Sequence, residues 1–213
     1  MIVKLLSGDT PRSPVLAVIL LAILVALAFA PFLFPGVRSV DTAARICIFI
    51  VLVASYDLML GYGGIVSFAH TMFFGMGAYG VALASTHMGR GFDAVALGAV
   101  GGAVLAAAIA FLIGLFSLRV RAIFFAMITL ALAQMVYFLF ISADFTGGEN
   151  GLQGVPRGTA LGIVDLSDNL NMYYFVLVIF AAAYFLISRT VNSPFGQVLS
   201  AIRDNEDRAT SLG

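Results

Sequence analysis

Ala94-Val-Ala-Leu-Gly98-Ala-Val-Gly-Gly102-Ala-Val-Leu-Ala106-Ala-Ala-Ile-Ala110-Phe-Leu-Ile-Gly114-Leu-Phe-Ser-Leu118 runs for 25 residues without a charge. At ~1.5 Å of rise per residue, a helix of that length outspans the ~30 Å hydrocarbon core of a bilayer. Helix is also the form in which a single segment satisfies its own backbone hydrogen bonds in lipid. Ala94, Gly98, Gly102, Ala106, Ala110 and Gly114 recur at four-residue steps. Small residues let helix backbones approach closely, which is how helices associate in lipid. Because four exceeds the ~3.6 residues of a helical turn, the stripe drifts around the helix. It reads as a packing surface for a neighbouring helix or a second subunit, with a sliding hinge surface as the alternative.

Five more apolar segments flank this one: Val15–Phe34, Ile46–Leu60, Ile65–Ala84, Ala122–Ile141 and Met172–Ser188. Hydrophobic residues make up 62% of the chain and charged residues 10%, where a soluble domain has about half and about a quarter. The expectation is an all-α, polytopic membrane helical bundle of about six transmembrane segments. Proline ends the first segment, at Pro31 or Pro35. Ala28-Phe29-Ala30 mimics a leader-cleavage site, but the run is long for a leader and Pro31 follows at once, so it reads as an anchored helix. Cys47 stands alone in an apolar run, as a small core residue does. Net charge is zero, so nothing points to nucleic acid.

Lys and Arg orient the segments. With the N-terminus in the cytoplasm and six crossings, the inner stretches hold Lys4, Arg12, Arg119, Arg121, Arg189, Arg203 and Arg208. The outer stretches hold Arg38, Arg45, Arg90 and Arg157. This bias places residues 190–213 in the cytoplasm.

Polar groups gather around Gly61-Tyr-Gly-Gly-Ile-Val-Ser-Phe-Ala-His70. Gly63-Gly64 is either a tight external turn or a break at membrane depth. Asp57 precedes it, and Ser67 and His70, three apart, share a face if the third segment is helical there. A structural reading has His70 bonded to a neighbouring carbonyl and Asp57 tied to backbone amides of the glycine turn. A functional reading has Asp57, Ser67 and His70 line a path through the membrane, because polar groups at depth face a cavity or a partner. Glycine-interrupted segments also point to transporter binding sites. Thr129 and Gln134, on the fifth segment, either face that path or bond to a neighbouring helix, and the second is favoured. Residues 143–171 read as a turn-rich polar loop.

The chain closes on Ser193-Pro-Phe-Gly-Gln-Val-Leu-Ser-Ala-Ile-Arg-Asp-Asn-Glu-Asp-Arg-Ala-Thr-Ser-Leu-Gly213. Ser193 fits an N-cap and Pro194 the first helical position. Val198, Ile202, Asn205, Ala209 and Leu212 fall on one helical face. Arg203 with Asp207, and Asp204 with Arg208, sit one turn apart. Pattern alone favours a solvated linker helix.

Four stretches resemble the permeases of ABC importers, in the branch that carries branched-chain amino acids. The first runs from Gly61, Tyr62 and Gly64 through Ser67 and His70 to Phe73-Phe-Gly-Met-Gly-Ala-Tyr79, with Asp57, Ile65 and Ala69 where the family has Asn, Gln and Gly. The second is Arg119-Val-Arg-Ala-Ile-Phe-Phe-Ala-Met-Ile-Thr-Leu-Ala131, with Ala122 in place of a Gly. The third is Thr146-Gly-Gly-Glu-Asn-Gly-Leu152 with Val155-Pro156. The fourth is Ser193-Pro-Phe-Gly196, Ala201-Ile-Arg-Asp-Asn-Glu206 and Leu212-Gly213.

The resemblance implies a transmembrane permease domain over 1–189 and a cytoplasmic coupling segment over 190–213. Ser193, Pro194, Phe195, Gly196, Ala201, Arg203, Asp204, Asn205, Glu206 and Gly213 would dock on an ATPase. It also implies a bacterial inner-membrane location among lipid, and as partners a second homologous permease, two cytoplasmic ABC ATPases and an extracytoplasmic solute-binding protein. The third stretch would face that binding protein. ATP would be used by the partner subunits, since the chain has no Gly-Lys-Ser/Thr phosphate loop, no metal-ligand cluster and no hydrolase signature, and is read as a transporter subunit rather than an enzyme. Family members continue past the coupling segment, so a truncated or split permease is expected. Urea or short amides are alternative solutes. A proton- or sodium-coupled carrier, with Asp57 and His70 as relay, is the alternative class.

Overall fold

The computed structural model describes residues 14–33, 36–117, 122–160, 162 and 164–212. Six long helices dominate: α1 (Pro14–Leu33), α2 (Val37–Asp57), α3 (His70–Met88), α4 (Phe92–Ser117), α5 (Ala122–Ser142) and α6 (Asn169–Val191). Two short ones follow, α7 (Pro194–Asp204) and α8 (Glu206–Leu212). The expected all-α bundle is borne out. Among the described residues, four helical stretches are long and apolar enough to cross a membrane: Arg38–Tyr62, Phe92–Leu115, Phe124–Ser142 and Asn169–Val191. Leu97, Val100, Val104 and Phe111 stand exposed along α4. Such an apolar exterior suits lipid rather than water, and the protein is membrane-integral.

The helices form two units. The first comprises Met1–Gly64 and Asn169–Gly213. Its core joins Val40, Ala44 and Cys47 of α2 to Tyr173 and Val176 of α6. The starts of both helices meet, so α2 and α6 run parallel. Cys47 is fully buried there, as the small core residue expected.

Of the two helix ends expected, Pro31 is passed and Pro35 lies outside the described residues: α1 continues through Pro31 to Leu33. Proline has no N–H, so the carbonyl four residues back, that of Leu27, loses its helical donor. The Tyr173 hydroxyl donates to that carbonyl instead. Tyr173 is only 1% exposed, so the bond is made where water cannot substitute.

Beyond α2 the chain widens into a π-turn, Leu58–Tyr62, and Gly64 takes a positive φ of 68°. The helix that follows begins at His70, five residues later than the sequence suggests. Ser67 therefore lies ahead of the helix, and the shared helical face expected for Ser67 and His70 is not formed.

The second unit, Ile65–Asp168, holds α3, α4 and α5. α3 and α4 pack through glycine. A Cβ on Gly98 would fall 2.6 Å from the Gly80 carbonyl oxygen, and one on Gly80 would fall 2.7 Å from that of Gly98. Gly102 meets Gly77 in the same way, at 3.1 Å. The small-residue stripe is thus a helix–helix seam over its first half. Ala94, Gly98 and Gly102 are buried, while Ala110 is exposed. Four-residue steps advance about 40° around the axis each time, and by Ala110 the stripe has rotated off the seam. Ile109 and Ile113 take over, against Ala69, Met72 and Met76.

Candidate functional site

Two places combine polar chemistry with an unusual backbone, one in each unit. In the first unit it is the elbow between α6 and α7. Ser193 is the N-cap, as expected, with Pro194 at the start of the helix. Its Oγ accepts from the Gly196 amide at 3.4 Å and donates to the Thr190 carbonyl at 2.6 Å. One side chain so joins the end of α6 to the start of α7. Gly196 is buried, and a Cβ there would lie 2.1 Å from the Val191 carbonyl oxygen, so only glycine allows this approach.

From this elbow α7 returns to the π-turn at the end of α2. Arg203 donates to the Gly61 carbonyl, and a Cβ on Gly64 would fall 2.7 Å from Arg203 Cγ. The guanidinium also pairs with Asp204 at 3.0 Å. α7 is therefore oriented inside out. Gly196 is buried and Leu199 and Ser200 are partly buried, while Phe195, Val198 and Ile202 are 62%, 55% and 41% exposed on the opposite face. Ala201 is exposed beside them.

The expected single helix through Asn205 is not observed. Asn205 is extended (φ −165°) and ends α7. Its Oδ1 accepts from the Arg208 amide at 2.9 Å, capping α8, whose first turn carries Glu206 and Asp207. The break separates Arg203 from Asp207 and Asp204 from Arg208, and neither expected ion pair is formed among the described residues. The spacing of Asn205 fits a face residue, but its side chain competes for backbone instead. Gly213, Arg119 and Arg121 lie outside the described residues.

Asp57 is exposed at the end of α2, next to an apolar groove formed by Ile46, Phe49, Ile50 and Val53. It makes no capping bond to the amides of the glycine turn. It belongs to the first unit, while Ser67 (buried) and His70 (half-buried) belong to the second.

The second place is a cavity of about 570 Å³ in the second unit. α3 contributes Thr71, Gly75 and Tyr79; α5 contributes Gln134 and Tyr137; the loop beyond α5 contributes Glu149. Ser67 and His70 are not among its lining residues, although Phe68 and Thr71 are. The four-residue spacing of Thr71, Gly75 and Tyr79 is the sequence signal for this wall, one position away from His70.

The loop is rich in turns, as expected, with short 3-10 turns at Asp144–Thr146 and Gly148–Asn150. Thr146 is fully buried, and its hydroxyl bonds the carbonyls of Phe140 and Ala143, at 2.5 and 2.7 Å, closing the end of α5. Gly147, Gly148 and Gly151 all have positive φ. A Cβ on Gly147 would fall 2.4 Å from the Gly151 carbonyl oxygen, so the loop folds tightly on itself. Tyr79 stacks on Phe140, with ring centroids 4.7 Å apart. Further along, β1 (Thr159–Ala160) pairs antiparallel with β2 (Val164–Asp165). Asp165 then accepts from the Ser167 amide at 2.9 Å. That bond, helped by the Ser167 hydroxyl and Arg90, holds the carboxyl below its ordinary value of 3.8.

Of the two polar residues expected on the fifth segment, Thr129 is fully buried and bonds a neighbouring segment, accepting from the Phe68 amide at 3.2 Å. Gln134 instead faces the cavity.

Comparison with known proteins agrees with the resemblance read from the motifs. The chain is 29% identical over 235 aligned positions to the high-affinity branched-chain amino acid transport system permease protein LivM of Escherichia coli, covering 100% of this chain and 54% of that protein. The Salmonella typhimurium protein of the same name matches equally, at 29% identity with 54% covered. The chain thus spans about half the length of the curated relatives it matches. No solved structure matches it. The profile of the "Branched-chain amino acid transport system / permease component" family matches residues 38–213, from the foot of α2 to the last residue, and the chain belongs to that family.

Proposed function

We propose that this chain forms part of the translocation pathway of an ATP-driven importer for branched-chain or related hydrophobic amino acids in a bacterial inner membrane. Residues 1–189 are the membrane domain and 190–213 the cytoplasmic coupling segment. A second permease, two ATPases and a solute-binding protein complete the assembly, and ATP is hydrolysed by the ATPases rather than by this chain. Asp57, Ser67 and His70 contribute polar groups to the path.

The orientation of α7 carries this reading. A surface helix normally buries its apolar face. Here Phe195, Val198 and Ile202 point away from the protein while Gly196 and Arg203 face it. An amphipathic helix presenting apolar anchors at i, i+3 and i+7 fits a groove on another subunit. Ser193, Gly196 and the Arg203 bond to Gly61 make the helix a stiff lever on α6 and α2, so a push on it moves both.

The test is transport by the assembled complex carrying Arg203→Glu or Glu206→Lys. Arg203→Glu removes a charged donor from a carbonyl, an interaction worth about one to two powers of ten in an equilibrium. Leucine uptake is expected to fall about tenfold while ATP hydrolysis continues. Undiminished uptake in both variants would sink the docking claim.

A further inference from the structure

We infer that the cavity between α3, α5 and the Thr146–Gly151 loop is a ligand site for an aliphatic chain bearing a primary ammonium group, with Glu149 as the residue that recognises the ammonium. Its volume, about 570 Å³, lies within the ~300–1,000 Å³ typical of small-molecule sites. Its wall is divided in character. Met72, Leu130, Val136 and Phe140 supply apolar and aromatic surface, and Thr71, Gln134, Tyr137 and Glu149 supply polar groups.

Two observations set the ligand class. The first is charge: among the described residues, Glu149 carries the only formal charge on the lining, and no Lys or Arg lines it. A ligand anion would meet only neutral donors there, whereas an ammonium group meets a carboxylate. The second is satisfaction. Thr71, Gln134, Tyr137 and Glu149 are exposed to the cleft and make no side-chain hydrogen bond with the described residues, while Thr129 and Thr146, on the same element and at its end, are buried and bonded; of the four, Gln134 lies midway along a helix long and apolar enough to cross a membrane. A glutamine on a membrane-spanning helix with no protein partner is expensive unless water or a ligand supplies one. The loop pre-positions Glu149 through the buried Thr146 and the glycines on either side, so little ordering is required on binding. Identifying the natural ligand as an aliphatic α-amino acid rests on the function proposed above; the preference for ammonium does not.

The experiment is equilibrium binding of tritiated L-leucine to the assembled transporter in nanodiscs, without solute-binding protein or ATP, with leucine uptake followed separately in proteoliposomes. Isoamylamine, which keeps the ammonium, is expected to displace the label. Isocaproate, which keeps the carboxylate, is not. Glu149→Gln is expected to weaken leucine binding about tenfold, and Glu149→Asp to recover part of it. Gln134→Leu, a milder change at the other side of the cavity, is expected to weaken binding a few-fold and checks the assignment if Glu149→Gln fails to assemble. Equal displacement by isocaproate, or wild-type affinity in Glu149→Gln, overturns the inference. If leucine is taken up and Glu149→Gln binds normally, only this inference falls. If isoamylamine binds in a Glu149-dependent manner but leucine is not taken up, the proposed function falls and the cavity assignment stands.

Discussion

The two units handle polar groups in opposite ways. In the first, a carbonyl orphaned by Pro31 is met by the hydroxyl of a tyrosine from a helix 146 residues away in sequence. In the second, Thr71, Gln134, Tyr137 and Glu149 are left open around a cavity, although Thr129 and Thr146 nearby are closed by backbone bonds. In a medium without water, an open polar group is a cost that folding alone does not remove. Closed groups therefore report how the chain folds, and open ones leave room for water or a ligand. Composition does not separate the two kinds; partnership does.

That contrast can be broken or sharpened by substitution. The largest effect is expected at the glycine seam of the second unit. Gly98→Val would set a side chain against the Gly80 carbonyl and the Val81 Cα, both within 2.7 Å. Backbone cannot give way as a side-chain tip can, so α3 and α4 must part. A loss of about 3 kcal/mol is expected, seen as a lower midpoint in denaturant titration. Next is Tyr173→Phe, which leaves the Leu27 carbonyl unbonded in a buried site and is expected to cost about 2 kcal/mol. Pro31→Ala should restore most of that loss, because alanine returns the helical N–H to the same carbonyl. A double mutant no more stable than Tyr173→Phe would refute this account of the proline.

Gln134→Leu should have the opposite sign from Tyr173→Phe. It removes a group that no described residue bonds, so stability should rise by about 1 kcal/mol. A clear destabilisation would mean that Gln134 serves the fold and that the contrast is false. The smallest effect concerns Asp165. Its carboxyl titrates below its ordinary 3.8 in the folded protein. The bond to Ser167 thus contributes stability above 3.8, which is lost as pH falls through the lowered value. The Ser167 amide resonance should report that transition, and Asp165→Asn should abolish it.

Much of this was legible in the sequence because lipid imposes a coarse rule. Long uncharged runs must be helices, and six runs are six helices. Ser193, Pro194 and Gly196 were legible for a local reason, since caps and close turns are set by residues near in sequence. What misled was also local. Local sequence cannot choose between Pro31 and Pro35 as the end of the first helix, because the hydroxyl that rescues Pro31 is remote, and spacing places Asn205 on a helical face without showing that its side chain bonds a backbone amide.

The chain's own residues determined that it lies in a membrane, where its helices run and where the elbow after α6 is capped. They determined these because helix propensity, apolar length and capping act within a few turns. Tertiary structure alone decided that α7 faces outward, since the reason is a contact of Arg203 with a carbonyl from a turn 142 residues earlier. It alone decided which polar side chains are closed and which open onto a cavity. A hydrogen bond across such separations depends on helices that first pack, and packing is settled by glycines meeting face to face across two elements, a relation no single stretch contains.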